Sequence, residues 1–192
     1  MSIIQEMTVS LIRIKKEQIP SVFDEGLNRL MDLAKEVRGN AQSPYFKFFV
    51  GAAVESESGK IYSGCNVERC TGTQSSHAEQ NAIDSMIAAE GSAKIKRIFV
   101  VGAQAGQAVP IQKHDEAHDV FSCSCDREVV LPCGHCRTII WENCCGDFSV
   151  PIFSLSKSGN VILTTISSLY PFPFGPEDLG MKYGKTGGQN GR

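Results

Sequence analysis

The chain has 192 residues, a formal net charge of -2 and 42% hydrophobic residues. That length fits one ordinary domain or at most two very small ones, and 21% charged residues beside that apolar content exclude wholesale disorder. Nineteen basic against 21 acidic residues leave no electrostatic footprint for a nucleic-acid backbone, and no apolar run reaches the roughly 18 residues of a membrane span.

Residues 1–20 read as an N-terminal arm or short strand, with weak alternation through Val9, Leu11, Ile12 and Ile14. Arg13, Lys15 and Lys16 follow the apolar residues instead of preceding them, which is not the form of a signal peptide. The expected compartment is cytoplasmic. Residues 20–38 read as one helix, with Pro20 and Ser21 as start chemistry and Phe23, Leu27, Leu30, Met31, Ala34 and Val37 as its apolar face. Residues 48–55 and 60–65 form a hairpin around Glu57-Ser58-Gly59-Lys60. A helical pattern follows over 77–90, then a buried strand over 95–101. Residues 102–128 lack periodicity and read as an inserted loop. A further helix spans 133–143, and two strands over 150–155 and 161–165 flank Lys157-Ser158-Gly159-Asn160. Residues 181–192 read as a flexible Gly-rich tail. The order of elements predicts a layered α/β sheet in a single domain over 21–180.

Eight cysteines invite a disulfide framework, but such frameworks belong to short secreted chains. In a reduced compartment, clustered cysteines point to metal binding or catalysis. Two segments carry that chemistry: His77-Ala78-Glu79 and Pro132-Cys133-Gly134-His135-Cys136. Cys-x-x-Cys at a helix start sets two thiolates one turn apart, within reach of one Zn²⁺ at about 2.3 Å. His77 as third ligand leaves one tetrahedral position open, as a catalytic zinc requires. Zinc lowers the pKa of a bound water toward about 7. Glu79, two residues along from His77, is placed to carry protons. Three other readings stay open: a redox dithiol, a structural zinc with a fourth ligand among Cys123, Cys125, His114 and His118, and a non-catalytic zinc-binding module.

This pair of segments resembles the signature of zinc nucleobase deaminases. Further motifs narrow the resemblance to the nucleoside cytidine deaminase family. Pro44-Tyr45-Phe46-Lys47-Phe48-Phe49-Val50-Gly51-Ala52-Ala53 is similar to that family's opening motif, and Gly64-Cys65-Asn66-Val67-Glu68 to its ribose-binding segment. His77 to Ile83, the run ending at Arg137, and Phe174-Gly175-Pro176-Glu177-Asp178-Leu179 complete five motifs in the family's order, over about residues 22–180. The resemblance implies a three-layer fold with a mixed five-stranded sheet flanked by helices. It implies zinc on His77, Cys133 and Cys136, with Glu79 as proton shuttle. It also implies Asn66 and Glu68 on the ribose 3′-hydroxyl, the Ala78 backbone on the base carbonyl, and Phe48 flanking the ribose or base. Phe174 would stack on the base from a neighbouring subunit, with nearby Phe172 competing for that role. A homo-oligomer follows, a tetramer favoured over a dimer. The implied reaction is hydrolytic deamination of cytidine and deoxycytidine, in pyrimidine salvage. No nucleic-acid polymer or membrane partner is expected.

The sequence also departs from the family. Small members carry cysteine where this chain has His77, and arginine where it has Gln80. The two changes are coherent: three thiolates on Zn²⁺ leave a net negative site that an arginine offsets, and a neutral imidazole removes that charge. Phe46 stands where a serine is usual. His135, inside the Cys-x-x-Cys gap, is expected to point away from the metal. Residues 102–128 lengthen the chain between the metal segments and hold His114, His118, Cys123 and Cys125, a surface loop or a second zinc site. Cys65, Cys70, Cys144 and Cys145 read as packing residues. Another amino-substituted substrate (a nucleotide, a free base or an antibiotic nucleoside) is the alternative for the same chemistry.

Overall fold

The protein is described by a computed structural model covering residues 10–91, 93–104 and 129–181. Residues 105–128, with the candidate second zinc site, and 182–192 lie outside the described residues. The strands are β1 (Ile12–Ile14), β2 (Phe48–Ser56), β3 (Ile61–Cys65), β4 (Ile95–Gln104), β5 (Pro151–Leu155) and β6 (Val161–Thr165). They form one mixed sheet in the order β1-β6-β5-β4-β2-β3. Only the β4–β5 pair is parallel; the other neighbours are antiparallel. Among the described residues the sheet has six strands where five were expected. The extra one is β1, an edge strand on β6, and its three residues are too few for a period of two to separate strand from arm.

The helices are α1 (Ile19–Val22), α2 (Glu25–Arg38), α3 (Ala78–Glu90), α4 (Gly134–Asn143) and α5 (Ile166–Leu169). The single helix expected over 20–38 is two helices. Phe23 is extended between them, its ring buried edge-on against Phe99 and Phe153. Asp24 then caps α2 by accepting the Leu27 N–H at 2.6 Å. Burying that aromatic and capping the second helix outweigh the one more turn of helix that the propensities favour.

The central strands bury both faces, and successive residues serve different layers. Ala52, Val54, Ile98 and Val100 pack with Ala82, Ile83 and Met86 of α3 and Ile140 and Trp141 of α4. Ala53, Phe99 and Val101 pack with Leu27, Leu30, Met31 and Ala34 of α2. Each fully buried valine, leucine, isoleucine, methionine or phenylalanine among them contributes roughly 1.5–3 kcal/mol. The two hairpins close with the same turn. Ser56 N–H donates to Lys60 O at 3.0 Å and Ser156 N–H to Asn160 O at 2.7 Å. Gly59 and Gly159 both sit at φ 83, the left-handed region where glycine carries no penalty.

Two features of this scaffold aim the site. Gly64 in β3 lets α3 lie directly on the strand, since a Cβ there would run into the Ala82 N and Ala78 O atoms. Residues 129–132 pass the carboxyl ends of the parallel pair, where Ser154 Oγ donates to Val130 O at 2.6 Å. They deliver the start of α4 beside the start of α3, at the end of the sheet where open α/β folds place their ligands.

Candidate active site

His77 is the N-cap residue of α3 and Cys133 the N-cap residue of α4. An N-cap side chain ordinarily bonds back to its own helix; neither of these does. They turn toward each other instead. Cys133 Sγ lies 3.2 Å from His77 Nδ1 and Cys136 Sγ 3.4 Å from the same nitrogen. The three donor atoms all fall within 4.8 Å of one another. Tetrahedral zinc with ligands at about 2.0–2.3 Å separates neighbouring donors by about 3.5 Å, so the cluster fits the ion. The two helix N-termini converging here add partial positive charge that favours thiolates. Arg137 fixes the start of α4, donating through Nε to Pro132 O at 2.8 Å and through a terminal nitrogen to Leu169 O at 2.9 Å.

Burial, with the Glu79 carboxylate and Cys133 close by, pushes the Cys136 thiol far above the usual thiol range. A buried thiolate in that position needs a cation, which metal binding supplies by displacing the proton. Glu79 follows in the first turn of α3 and is 5% exposed. Burial pushes its carboxyl up, against hydrogen bonds from its own N–H and with Cys136, and against the nearby His77 and His135. Ala78 is buried between the two.

His135 adds no donor to the cluster, and it packs beside it. Its ring sits edge-on to His77 with centroids 5.2 Å apart, and its Nε2 is 3.3 Å from Gln80 Oε1. Because α3 and α4 start side by side, the second residue of α4 faces the third of α3.

A second group of side chains lines the junction of β2 and β3. Asn66 accepts the Val50 N–H at 2.8 Å and donates to Phe48 O at 2.9 Å, so its amide continues the strand pairing beyond Cys65. Glu68 accepts the Tyr45 and Phe46 N–H groups at 2.9 and 3.2 Å and the Ser43 hydroxyl. Burial raises the Glu68 carboxyl, but those three donors and the Lys47 charge outweigh it and hold it below the ordinary carboxylate range. Phe48 opens β2 half-buried, its ring edge over Gly102. Asn81 of α3 joins the two groups, donating to Cys65 O at 2.7 Å and Ser76 Oγ at 2.9 Å. Phe174 and Phe172, by contrast, stand on the surface, 65% and 81% exposed.

Sequence reasoning missed Ser43 and Asn81. Neither lies in a metal motif, and only the fold brings Ser43 against a residue 25 positions away. Gly64 was a readable signal: a lone glycine inside a strand marks close approach of another backbone. Of the cysteines expected to pack, Cys144 is buried and its thiol pushed up to about 11 by that burial, while Cys70 is exposed at the start of a polar loop.

Residues 24–150 match the family model for the cytidine and deoxycytidylate deaminase zinc-binding region. The chain is similar to a cytidine deaminase of Sporosarcina psychrophila, 32% identical over 80% of this chain and 94% of that one. A probable cytidine deaminase of Dictyostelium discoideum is 29% identical over 81% of this chain and 88% of its own length. Among solved structures, cytidine deaminase from Burkholderia pseudomallei superposes with a TM-score of 0.59 at 29% identity, covering 77% of this chain and 98% of that one. The matched span takes in both metal-bearing helix starts and the β2–β3 junction, and the chain belongs to the cytidine and deoxycytidylate deaminase family.

Proposed function

We propose that this protein is a zinc-dependent hydrolase that converts cytidine and deoxycytidine, with water, to uridine or deoxyuridine and ammonia. The observation that carries the reading is the His77, Cys133 and Cys136 cluster with a buried carboxylate, Glu79, beside it. Zinc held by those three residues supplies Lewis acidity that lowers the pKa of a water toward about 7. Glu79 does the proton work. It takes a proton from the attacking water and delivers it to the ring nitrogen, which makes the neighbouring carbon electrophilic. It then takes the proton of the new hydroxyl group and delivers it to the amine, which leaves as ammonia as the carbon–nitrogen bond breaks and the carbonyl forms.

The sugar is assigned to the second group. A carboxylate offers about four lone-pair sites, and three donors already meet Glu68. One acceptor direction is left. Asn66 Nδ2 carries two hydrogens and spends one on Phe48 O, which leaves one donor. One donor beside one acceptor matches a sugar hydroxyl. Glu68, held ionised, repels a phosphate on the same sugar and favours the nucleoside over its nucleotide. In the same reading, the Ala78 backbone meets the base carbonyl, Phe48 flanks the nucleoside, and Phe174 reaches the base of a neighbouring copy in a cytoplasmic homo-oligomer. The catalytic domain takes in β1, because that strand pairs with β6, and extends to about residue 180; the insertion is shorter than expected, because residues 102–104 belong to β4 and pair with β2, and 181–192 flank the domain. No helix among the described residues is long and apolar enough to cross a membrane.

The test is an absorbance assay on cytidine, deoxycytidine and their monophosphates, with zinc measured on the same sample. Turnover of both nucleosides with one zinc per chain is expected. Glu79→Gln should keep its zinc and lose turnover by about 10³-fold or more, near the upper range for a lost acid–base group. Turnover of monophosphates alone overturns the nucleoside assignment, and undiminished Glu79→Gln activity overturns the mechanism.

A further inference from the structure

We infer that Ser43 is a positioning residue for substrate selection: its hydroxyl aims the Glu68 carboxylate at the sugar hydroxyl. This rests on the assignment of Glu68 to the sugar. Ser43 is 3% exposed, and its hydroxyl works in two directions. It donates to Glu68 Oε1 and accepts the Phe48 N–H at 3.0 Å. The Ser43 carbonyl accepts the Lys47 N–H at 3.2 Å, closing a turn in which Lys47 takes φ 54. On the far side, the Glu68 N–H donates to Gln42 O at 2.8 Å. Glu68 is therefore clamped through its main chain next to Ser43 and through its side chain by Ser43 itself.

The backbone donors of Tyr45 and Phe46 both reach Oε2. Among the described residues only Ser43 engages Oε1, so with Oε2 anchored it is Ser43 that fixes where the second oxygen points. The last torsion is broad and soft for a glutamate. Without the hydroxyl, the carboxylate keeps its charge and its anchor at Oε2, but Oε1 is released to swing about that anchor. Phe46, 76% exposed, contributes its main-chain N–H to this arrangement, and the side-chain hydroxyl comes from Ser43.

Such a role predicts an effect confined to substrates that carry the sugar hydroxyl. The measurement is kcat/KM for cytidine and for 3′-deoxycytidine with zinc-loaded wild type, Ser43→Ala and Ser43→Thr. Wild type should prefer cytidine. Ser43→Ala should shrink that preference about tenfold, the usual consequence of losing one hydrogen bond to a charged group. The change should fall in KM for cytidine, with kcat and the 3′-deoxycytidine values kept. Ser43→Thr, which retains the hydroxyl, should restore the preference. If Ser43→Ala does not fold, Ser43→Cys, a weak donor of similar size, takes its place with the same expected direction. A preference that stays at the wild-type value, or equal losses on both substrates as from a merely loosened turn, overturns the inference. Wild type inert toward cytidine overturns the proposed function itself, and this inference with it.

Discussion

The two halves of the site are built in opposite ways. At the metal end, His77, Cys133 and Cys136 meet mainly one another, and the Cys136 thiol is pushed up by burial among groups of its own sign. That end is incomplete as protein and becomes stable as an anion cage only with a cation in it. At the end proposed for the sugar, Asn66, Glu68 and Ser43 are engaged with main-chain groups of the 43–50 segment, and each proposed ligand contact uses what is left over. One end needs an ion to balance the groups the fold gathers there, whereas the other is already satisfied by the fold. Chemistry needs a strong charge placed at will, which a metal supplies. Selection needs directional donors and acceptors, which a hydrogen-bonded turn supplies before substrate arrives.

The largest effect should come from breaking the metal end. Cys136→Ala removes a buried donor, and zinc content measured by atomic absorption should fall from near one per chain to near zero, with deamination at background. Ligand loss should also abolish the rise in melting temperature that added zinc gives the chelator-treated wild type, since an ion bound only by the folded state stabilises it. A Cys136→Ala protein that keeps its zinc would mean the cluster does not depend on its buried thiol, and the contrast between the two ends would fail.

A smaller effect should follow at the sugar end. Asn66→Ala removes the amide that bridges Phe48 O and Val50 N–H. KM for cytidine should rise on the order of ten- to a hundredfold with kcat within about threefold, the pattern of lost uniform binding. Zinc content should be untouched. Zinc loss in this variant would show the two ends to be one structural unit.

The same contrast explains what could be read from the chain alone. The metal end was legible because ligand chemistry is strict: Cys133 and Cys136 must stand one helical turn apart, and Glu79 must follow His77 closely, so the spacing is written locally. The helix starts at His77 and Cys133 were legible for the same reason. The sugar end showed only through resemblance at Asn66 and Glu68. Ser43 stayed hidden because its meaning depends on contact with a residue far along the chain. The fold followed a similar rule. Strands β2 to β6 carry enough apolar residues to declare themselves, whereas β1 borrows its pairing from β6, and the break before α2 depends on a pocket for Phe23 lined by distant Phe99 and Phe153. The partner of His135 was not legible, because Gln80 sits on the other helix.

The smallest expected effect on activity lies at the far end of β2, and it separates scaffold from site. Glu55, 5% exposed, accepts from the Lys96 ammonium at 2.7 Å and from Arg97, and Arg97 also reaches Asp24 at 2.8 Å. The cluster ties the start of α2 to β2 and β4. Burial alone pushes the Glu55 carboxyl up, but the hydrogen bonds and charges of Lys96 and Arg97 outweigh it and hold it below its ordinary 4.5. A carboxyl depressed in the folded state adds stability that is fully present above the unfolded value and is lost as pH falls through the folded one. Glu55→Gln should therefore cost about 1–3 kcal/mol near neutral pH, a charge-assisted hydrogen bond's worth, with half-exposed Lys96 adding little of it. That gap should narrow progressively as pH drops below about 4.5. Denaturant unfolding of both proteins with chelator present reads it without interference from metal release, which is itself pH-dependent. kcat, KM and zinc content at neutral pH should match wild type, because the cluster touches neither end of the site. A gap that widens toward low pH would mean that burial of Glu55 outweighs its partners, and that α2 is held to the sheet by its apolar face alone.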